Sequence, residues 1–218
     1  MAASPIKAAK RKQANNVLRS LRNGLLPVSF YRSDDVVDIA RNLLGAYIYT
    51  LNDRNVTGGI ITETEAYAGP EDRASHAYNG RRTPRTETMY APGGIAYIYL
   101  CYGMHALLNV VTGPIDLPHA VLLRAITPVT GLEIIQQRRG AKVKPAKLAA
   151  GPGTLTQSLG ITVQDNAVDF RGRRIWITRG DSPVDQRRII VSTRVGIDYA
   201  GPDALLPWRF MLAEQPIK

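Results

Sequence analysis

The sequence predicts an α+β fold, a single domain built on a curved, mainly antiparallel sheet with flanking short helices. Strand-like runs recur along the chain with turn signals between them, and they outnumber the helical patterns. No internal repeat or interior low-complexity linker divides the 218 residues, a length suited to one substantial core. Composition agrees, since 44% hydrophobic and 21% charged residues are ordinary proportions for a soluble globular protein.

Residues 1–29 read as a basic N-terminal arm, either disordered and solvated or phosphate-seeking, and 30–218 as the folded domain. Lys7, Lys10, Arg11, Lys12, Arg19, Arg22 and Arg32 precede the first acid, Asp34, and account for seven of the ten net positive charges. Ser33-Asp34-Asp35 then offers an N-cap to the helical spacing of Val36, Val37, Ile39, Ala40, Leu43 and Leu44, which Gly45 ends. Residues 46–51 read as a strand, Asn52-Asp53 as a turn and residues 59–67 as the returning strand of a hairpin. Residues 94–102 and 105–112 suggest two strands interrupted at Gly103, and 119–126 another. Thr130 and Glu133 have the spacing of a capping box opening a helix that ends near Gly140. The basic stretch 138–147 reads as an exposed loop, Gly151-Pro152-Gly153-Thr154 as backbone support, and 174–178, 189–194 and 208–212 as the last strands.

A single cysteine, Cys101, excludes an internal disulfide framework and a thiolate metal cage. No apolar run approaches the roughly 20 residues that span a bilayer, and the N-terminus lacks the apolar stretch of a secretory signal. The expected location is cytosolic, nucleoid-associated in a bacterium and nuclear in a eukaryote. Walker, dinucleotide and GxSxG motifs are lacking. His76, His105 and His119 lack metal-ligand spacing, so neither a metal nor another cofactor is expected.

The chemistry concentrates in residues 61–112, which hold six of the ten tyrosines, two of the three histidines and the arginine-rich run Gly80–Arg85. Tyrosines beside arginines suit flat, anionic ligands, because aromatic faces stack on bases and guanidinium groups hold phosphates. Strand alternation puts Ile61, Glu63, Glu65 and Tyr67 on one face, a carboxylate beside an aromatic platform. Alternation does not choose between Glu63 and Glu65, and a solvent-facing strand would carry the same residues. It also groups Tyr97, Tyr99 and Cys101 opposite Ile98, Leu100 and Tyr102, with Tyr102 presented at a tip by the turn at Gly103. His76 precedes a loop in which Arg81, Arg82 and Arg85 suit phosphate contacts.

These strings, taken in order, resemble the alkyladenine (3-methyladenine) DNA glycosylase family. The matching runs include Thr64-Glu65-Ala66-Tyr67, Gly69-Pro70-Glu71-Asp72, Ser75-His76, Thr83-Pro84-Arg85, Tyr102-Gly103-Met104-His105, Asn109-Val110-Val111, Arg194-Val195-Gly196 and Pro207-Trp208-Arg209-Phe210. The resemblance implies that Glu65 is the catalytic carboxylate and that Arg124 and the backbone carbonyl of Val195 help it hold the attacking water. It implies a base pocket of Tyr67, His76, Tyr99 and Asn109, with Asn109 disfavouring the exocyclic amino group of guanine. Tyr102 would fill the gap left by a flipped nucleotide, and Met104, Arg81 and Thr83 would touch DNA. Thr86, Thr154 and Leu206 depart from residues frequent in the family, outside the implied pocket.

The implied activity is monofunctional excision of alkylated or deaminated purines from damaged double-stranded DNA, 3-methyladenine, 7-methylguanine and hypoxanthine among them. It would proceed by base flipping and leave an abasic site for downstream abasic-site repair enzymes. An aromatic cage would favour cationic alkylated bases. The protein would act as a monomer, without a membrane. A non-catalytic nucleic-acid-binding domain, or a hydrolase of free nucleosides, are the competing classes.

Overall fold

The computed structural model describes residues 16–213. Eight strands form one open antiparallel sheet: β1 (Tyr47–Asn52), β2 (Asn55–Tyr67), β3 (Ala96–Cys101), β4 (His105–Thr112), β5 (His119–Thr130), β6 (Ile175–Thr178), β7 (Ile189–Ser192) and β8 (Arg209–Leu212). The spatial order is β3-β4-β5-β2-β1-β6, while β8 pairs with both β2 and β7. β2 therefore changes partner along one edge, with β1 beside residues 55–60 and β8 beside Glu63–Glu65. On its other edge it pairs with β5. Glu63 and Glu65 consequently sit inside the sheet, their backbone held from both sides.

The β1–β2 hairpin turns at Asp53 and Arg54, both at positive φ (45° and 72°), the left-handed pair a tight hairpin requires. Helix Val36–Asn42 starts where expected, Asp35 accepting from the Asp38 N–H at 2.8 Å. It buries Val36, Ile39 and Ala40 against one face of the sheet. Helix Pro152–Leu159 adds Leu155 and Leu159 to the same core, with Ile48, Ile61, Ala66, Leu108, Leu123, Ile177 and Phe210. The opposite face of β3–β5 is covered by residues 68–92, whose short 3₁₀ turns carry Ala77, Met89 and Tyr90 onto Tyr97, Val111 and Ala120.

Several expectations need correction. The Thr130–Glu133 capping box does not form, because β5 runs to Thr130 and helix Leu132–Arg139 is capped by Gly131 at φ +69°. A Cβ there would come within 2.4 Å of the Val56 carbonyl oxygen, so the close approach of β2 dictates a glycine. The stretch 138–147 is not simply an exposed loop. Arg138 and Arg139 finish that helix, Arg138 donating to the Ser158 carbonyl at 2.9 Å and Arg139 to the Leu148 carbonyl at 2.8 Å. Gly151–Thr154 opens a helix, with Pro152 in its first turn.

Of the arm, residues 1–15 lie outside the described residues. Residues 16–21 are helical, Leu25 bridges Thr178, and the Leu26 N–H donates to the Ile177 carbonyl at 3.1 Å, extending the sheet beyond β6. The Trp176 indole donates to the Leu21 carbonyl at 3.0 Å, and Arg22 lies over its ring.

Candidate active site

Two opposed irregularities in the β2–β5 ladder shape the site. Ile61 pairs with Ile126 and Glu63 with Ala125, which leaves Thr62 as an extra residue on β2; Thr64 then pairs with Leu123, which leaves Arg124 extra on β5. Such bulges re-aim side chains. Ile61 consequently enters the main core with Ala66, so the expectation that it shares a face with Glu63, Glu65 and Tyr67 is wrong. Beyond the bulges Tyr97, Asn109, Leu122, Glu65 and Arg209 are lateral neighbours on β3, β4, β5, β2 and β8, forming a row across five strands.

Glu65 is fully buried. Its Oε1 accepts from the Val195 N–H at 2.8 Å, and its Oε2 accepts from the Tyr67 hydroxyl at 2.9 Å and from Arg124 Nη1 at 3.3 Å. The backbone group of Val195 that meets the carboxylate is thus its N–H. Glu63 differs from Glu65 in its partners, accepting Arg124 Nε and Arg209 Nε, each at 2.7 Å. Arg124 therefore links both carboxylates, held in place by the bulge that presents it. Burial, then the charge and hydrogen bond of Glu65, push the Tyr67 phenol far above its ordinary pKa and keep it a donor.

Above this carboxylate lies a cavity of about 340 Å³ lined in part by Tyr67, His76, Tyr97, Tyr99, Asn109 and Leu122, with Arg124 and Val195 at its base. Tyr67, Arg124 and Val195 each touch both the cavity and Glu65. The strand alternation of β3 is kept: Tyr97, Tyr99 and Cys101 line the cavity and Ile98 enters the core. Asn109 is oriented by its Nδ2, which donates to the Tyr97 carbonyl at 3.1 Å. His76 sits edge-on to Tyr99, with ring centroids 4.5 Å apart, and its Nδ1 is 2.9 Å from the Tyr97 hydroxyl. Burial and the nearby Arg85 and Arg81 push His76 down to about 4, so it is neutral at pH 7. The cavity is large enough for a purine and supplies flat walls, one amide and a buried carboxylate.

Tyr102 and Met104 project from the β3–β4 turn, 89% and 73% exposed. Tyr102 has φ +51°, a strained setting for an aromatic residue, of a kind that clusters at functional sites. The turn brings it to the cavity rim beside Cys101, rather than onto the Ile98 and Leu100 face that simple alternation assigns. Arg81 is exposed in the loop that precedes Thr83. Thr86 is buried, accepting from the Thr83 N–H at 2.9 Å and donating to the Arg81 carbonyl at 3.0 Å, and so fixes that loop. Thr154 caps its own turn on the Gly151 carbonyl at 2.8 Å. The three histidines do not converge, with His105 against Gly153 and His119 against Gly69. Among the described residues no cluster of three or more His, Cys, Asp or Glu side chains is placed to hold a metal ion.

Sequence reasoning assigned no role to Arg194, Asp72 or Tyr199. The Arg194 guanidinium lies over the Tyr67 ring at 4.8 Å and the Trp208 ring at 5.1 Å, fully buried and paired with Asp72 (Nη2 to Oδ1, 2.9 Å). Asp72 also accepts the Ala74 N–H at 2.9 Å, tying the cavity's 68–76 wall to the segment that delivers Val195. Tyr199, 72% exposed, is pinned at the rim by its hydroxyl to the Ala74 carbonyl, 3.3 Å away.

The family model described as methylpurine-DNA glycosylase matches residues 29–216. A Chlamydia felis protein provisionally named a 3-methyladenine DNA glycosylase is 49% identical over 189 residues, covering 86% of this chain and 96% of its own. Relatives with the same provisional name from Bacillus licheniformis and Bacillus cereus are 42% and 40% identical, each spanning over 85% of this chain and over 90% of their own length.

Proposed function

The chain belongs to the methylpurine-DNA glycosylase family, and from that premise we propose that it hydrolytically excises 3-methyladenine, 7-methylguanine and hypoxanthine from duplex DNA. The observation that carries the proposal is a fully buried carboxylate, Glu65, beneath an aromatic cavity of purine size. A target base inside a duplex is shielded from water, so the nucleotide rotates out at a cost of about a few kcal/mol. Tyr102, exposed at the tip of the β3–β4 turn, takes the vacated space. The base enters between Tyr67 on one side and His76 and Tyr99 on the other, where stacking contributes roughly 1–3 kcal/mol.

Glu65 acts as general base, a role ordinarily contributing roughly 10²–10⁴-fold. Its carboxylate is covered by Tyr67, Arg124 and Val195, so the attacking water stands at their junction as the Tyr67 ring turns onto the base. The water oxygen bonds to the anomeric carbon, its proton passes to Glu65, and the glycosidic pair leaves with the purine. Arg124 balances the charge of Glu63 and Glu65. Among the described residues no lysine lines the cavity, which supports hydrolysis over a Schiff-base route and an abasic product with both strands intact. That product passes to abasic-site repair enzymes.

Base release from methylated duplex DNA, compared with release from methylated nucleoside, tests this reading. Release from the duplex alone is expected. Binding without release would make the protein a non-catalytic DNA-binding domain, and release from the nucleoside alone would make it a nucleoside hydrolase.

A further inference from the structure

We propose that Arg85 is a specificity-determining residue whose guanidinium, set against two walls of the cavity, biases it toward uncharged purines and against cationic N-alkylated ones. The inference rests on the glycosylase reading and ranks substrates within it. The Arg85 guanidinium carbon is 5.3 Å from the Tyr99 ring centroid, and its Nη2 is 3.4 Å from His76 Nε2. Both rings line the cavity.

Three features make this cation felt. The first is pairing: Arg124 pairs with Glu63 and Glu65, Arg194 with Asp72, and Arg82 with Glu87 and Asp116, whereas Arg81, which also bears on His76, forms no ion pair among the described residues. Arg85 has no carboxylate partner among the described residues, so its charge is not cancelled locally. Second, an aromatic ring attracts a cation through the negative potential over its faces. Tyr99 and Tyr67 already carry a guanidinium against their rings, Arg85 and Arg194, which draws on the potential a cationic base would use.

Third, His76 cannot supply compensating polarity. Arg85 only donates, so Nε2 must accept, which leaves the proton on Nδ1 facing the Tyr97 hydroxyl. The aromatic cage that the sequence suggests for cationic bases is thus opposed by a like charge behind its wall. A departing neutral purine, by contrast, takes the glycosidic electron pair and gains negative charge, which Arg85 stabilises. Cationic bases have weak glycosidic bonds and tolerate the opposition.

The test is single-turnover excision from matched duplexes carrying hypoxanthine or 7-methylguanine, read as the ratio of the two kmax/K½ values. Any weakening of phosphate binding in a variant affects both duplexes alike and cancels in the ratio. Arg85→Met keeps the aliphatic stem and removes the charge. It should raise the preference for 7-methylguanine relative to hypoxanthine by about two- to fivefold, the size of an exposed cation–π or like-charge effect. Arg85→Lys retains the charge and should stay near wild type. An unchanged ratio in Arg85→Met, or an equal shift in Arg85→Lys, overturns the assignment while leaving the glycosylase reading intact. If wild-type protein releases neither base, the glycosylase reading falls and this inference with it.

Discussion

Tyr67 donates its phenolic hydrogen to Glu65 Oε2 across 2.9 Å, so one side chain both walls the cavity and covers the carboxylate beneath it. The contact joins residues two apart on a strand, which strand geometry places on the same face about 6–7 Å apart at the backbone. The position of the Tyr67 ring in the cavity and access to Glu65 are therefore physically linked.

Glu65→Gln should lower excision by roughly 10²–10⁴-fold while damaged-duplex binding persists. The amide also turns an NH₂ toward one of the three donors now served by the carboxylate, so a stability loss of about 1–3 kcal/mol should accompany it. Single-turnover rates and urea midpoints measure the two effects. Excision within twofold of wild type would remove Glu65 from the general-base role.

Asn109→Ser should relax the rejection of guanine, because the shorter side chain vacates space and loses the bond that fixes Asn109 to the Tyr97 carbonyl. A steric filter of this kind is worth roughly 10–200-fold, so release of unmodified guanine should rise by about tenfold relative to hypoxanthine. Unchanged ratios would assign the filter elsewhere.

His76 should make stability depend on pH. Its folded pKa of about 4 lies below the ordinary value of 6.5, so the unfolded chain takes up the proton first. Its contribution is fully present above pH 6.5, declines as pH falls toward 4, and levels off below that. His76→Gln lacks this titration. Urea midpoints at pH 7.5 and pH 4.5 should show the wild type losing more than the variant; parallel losses would refute the assignment.

Asp72→Ala leaves Arg194 a buried, unpaired cation and should cost about 3–5 kcal/mol. Asp72→Ala combined with Arg194→Met removes both charges and should recover part of that loss. Thermal or urea unfolding of the two singles and the double measures the coupling, and strictly additive losses would mean that the pair is not coupled.

Removing residues 1–15 deletes Lys7, Lys10, Arg11 and Lys12 and no acid, while keeping Leu21 under Trp176. For every phosphate that the shortened chain no longer neutralises, the log–log salt slope of duplex binding should flatten by about 0.9. The slope should become shallower with the saturated excision rate retained. An identical slope would show that these residues do not touch DNA.

Much of the site's outline was legible because strands write their faces into sequence. Alternation in β3 correctly separated Tyr97, Tyr99 and Cys101 from Ile98, and the glycine after Tyr102 marked its tip. Alternation failed at Ile61 because Thr62, a good strand residue, gives no sign of being an insertion. Helix Pro152–Leu159 was missed because Gly-Pro-Gly reads as loop, although proline in a first turn is a start signal. The roles of Arg194 and Asp72 had no local signature, since each depends on a partner 122 positions away.

The extra residues at Thr62 and Arg124 cancel, so the β2–β5 ladder leaves the site in the same phase in which it entered. Removing either alone would slip one half of the sheet past the other and turn core side chains outward. Removing both would keep the distant pairings in phase. The site is thus a local offset between stretches of ladder that stay in phase, and losing it would also strip two carboxylates of the arginine that pairs with them.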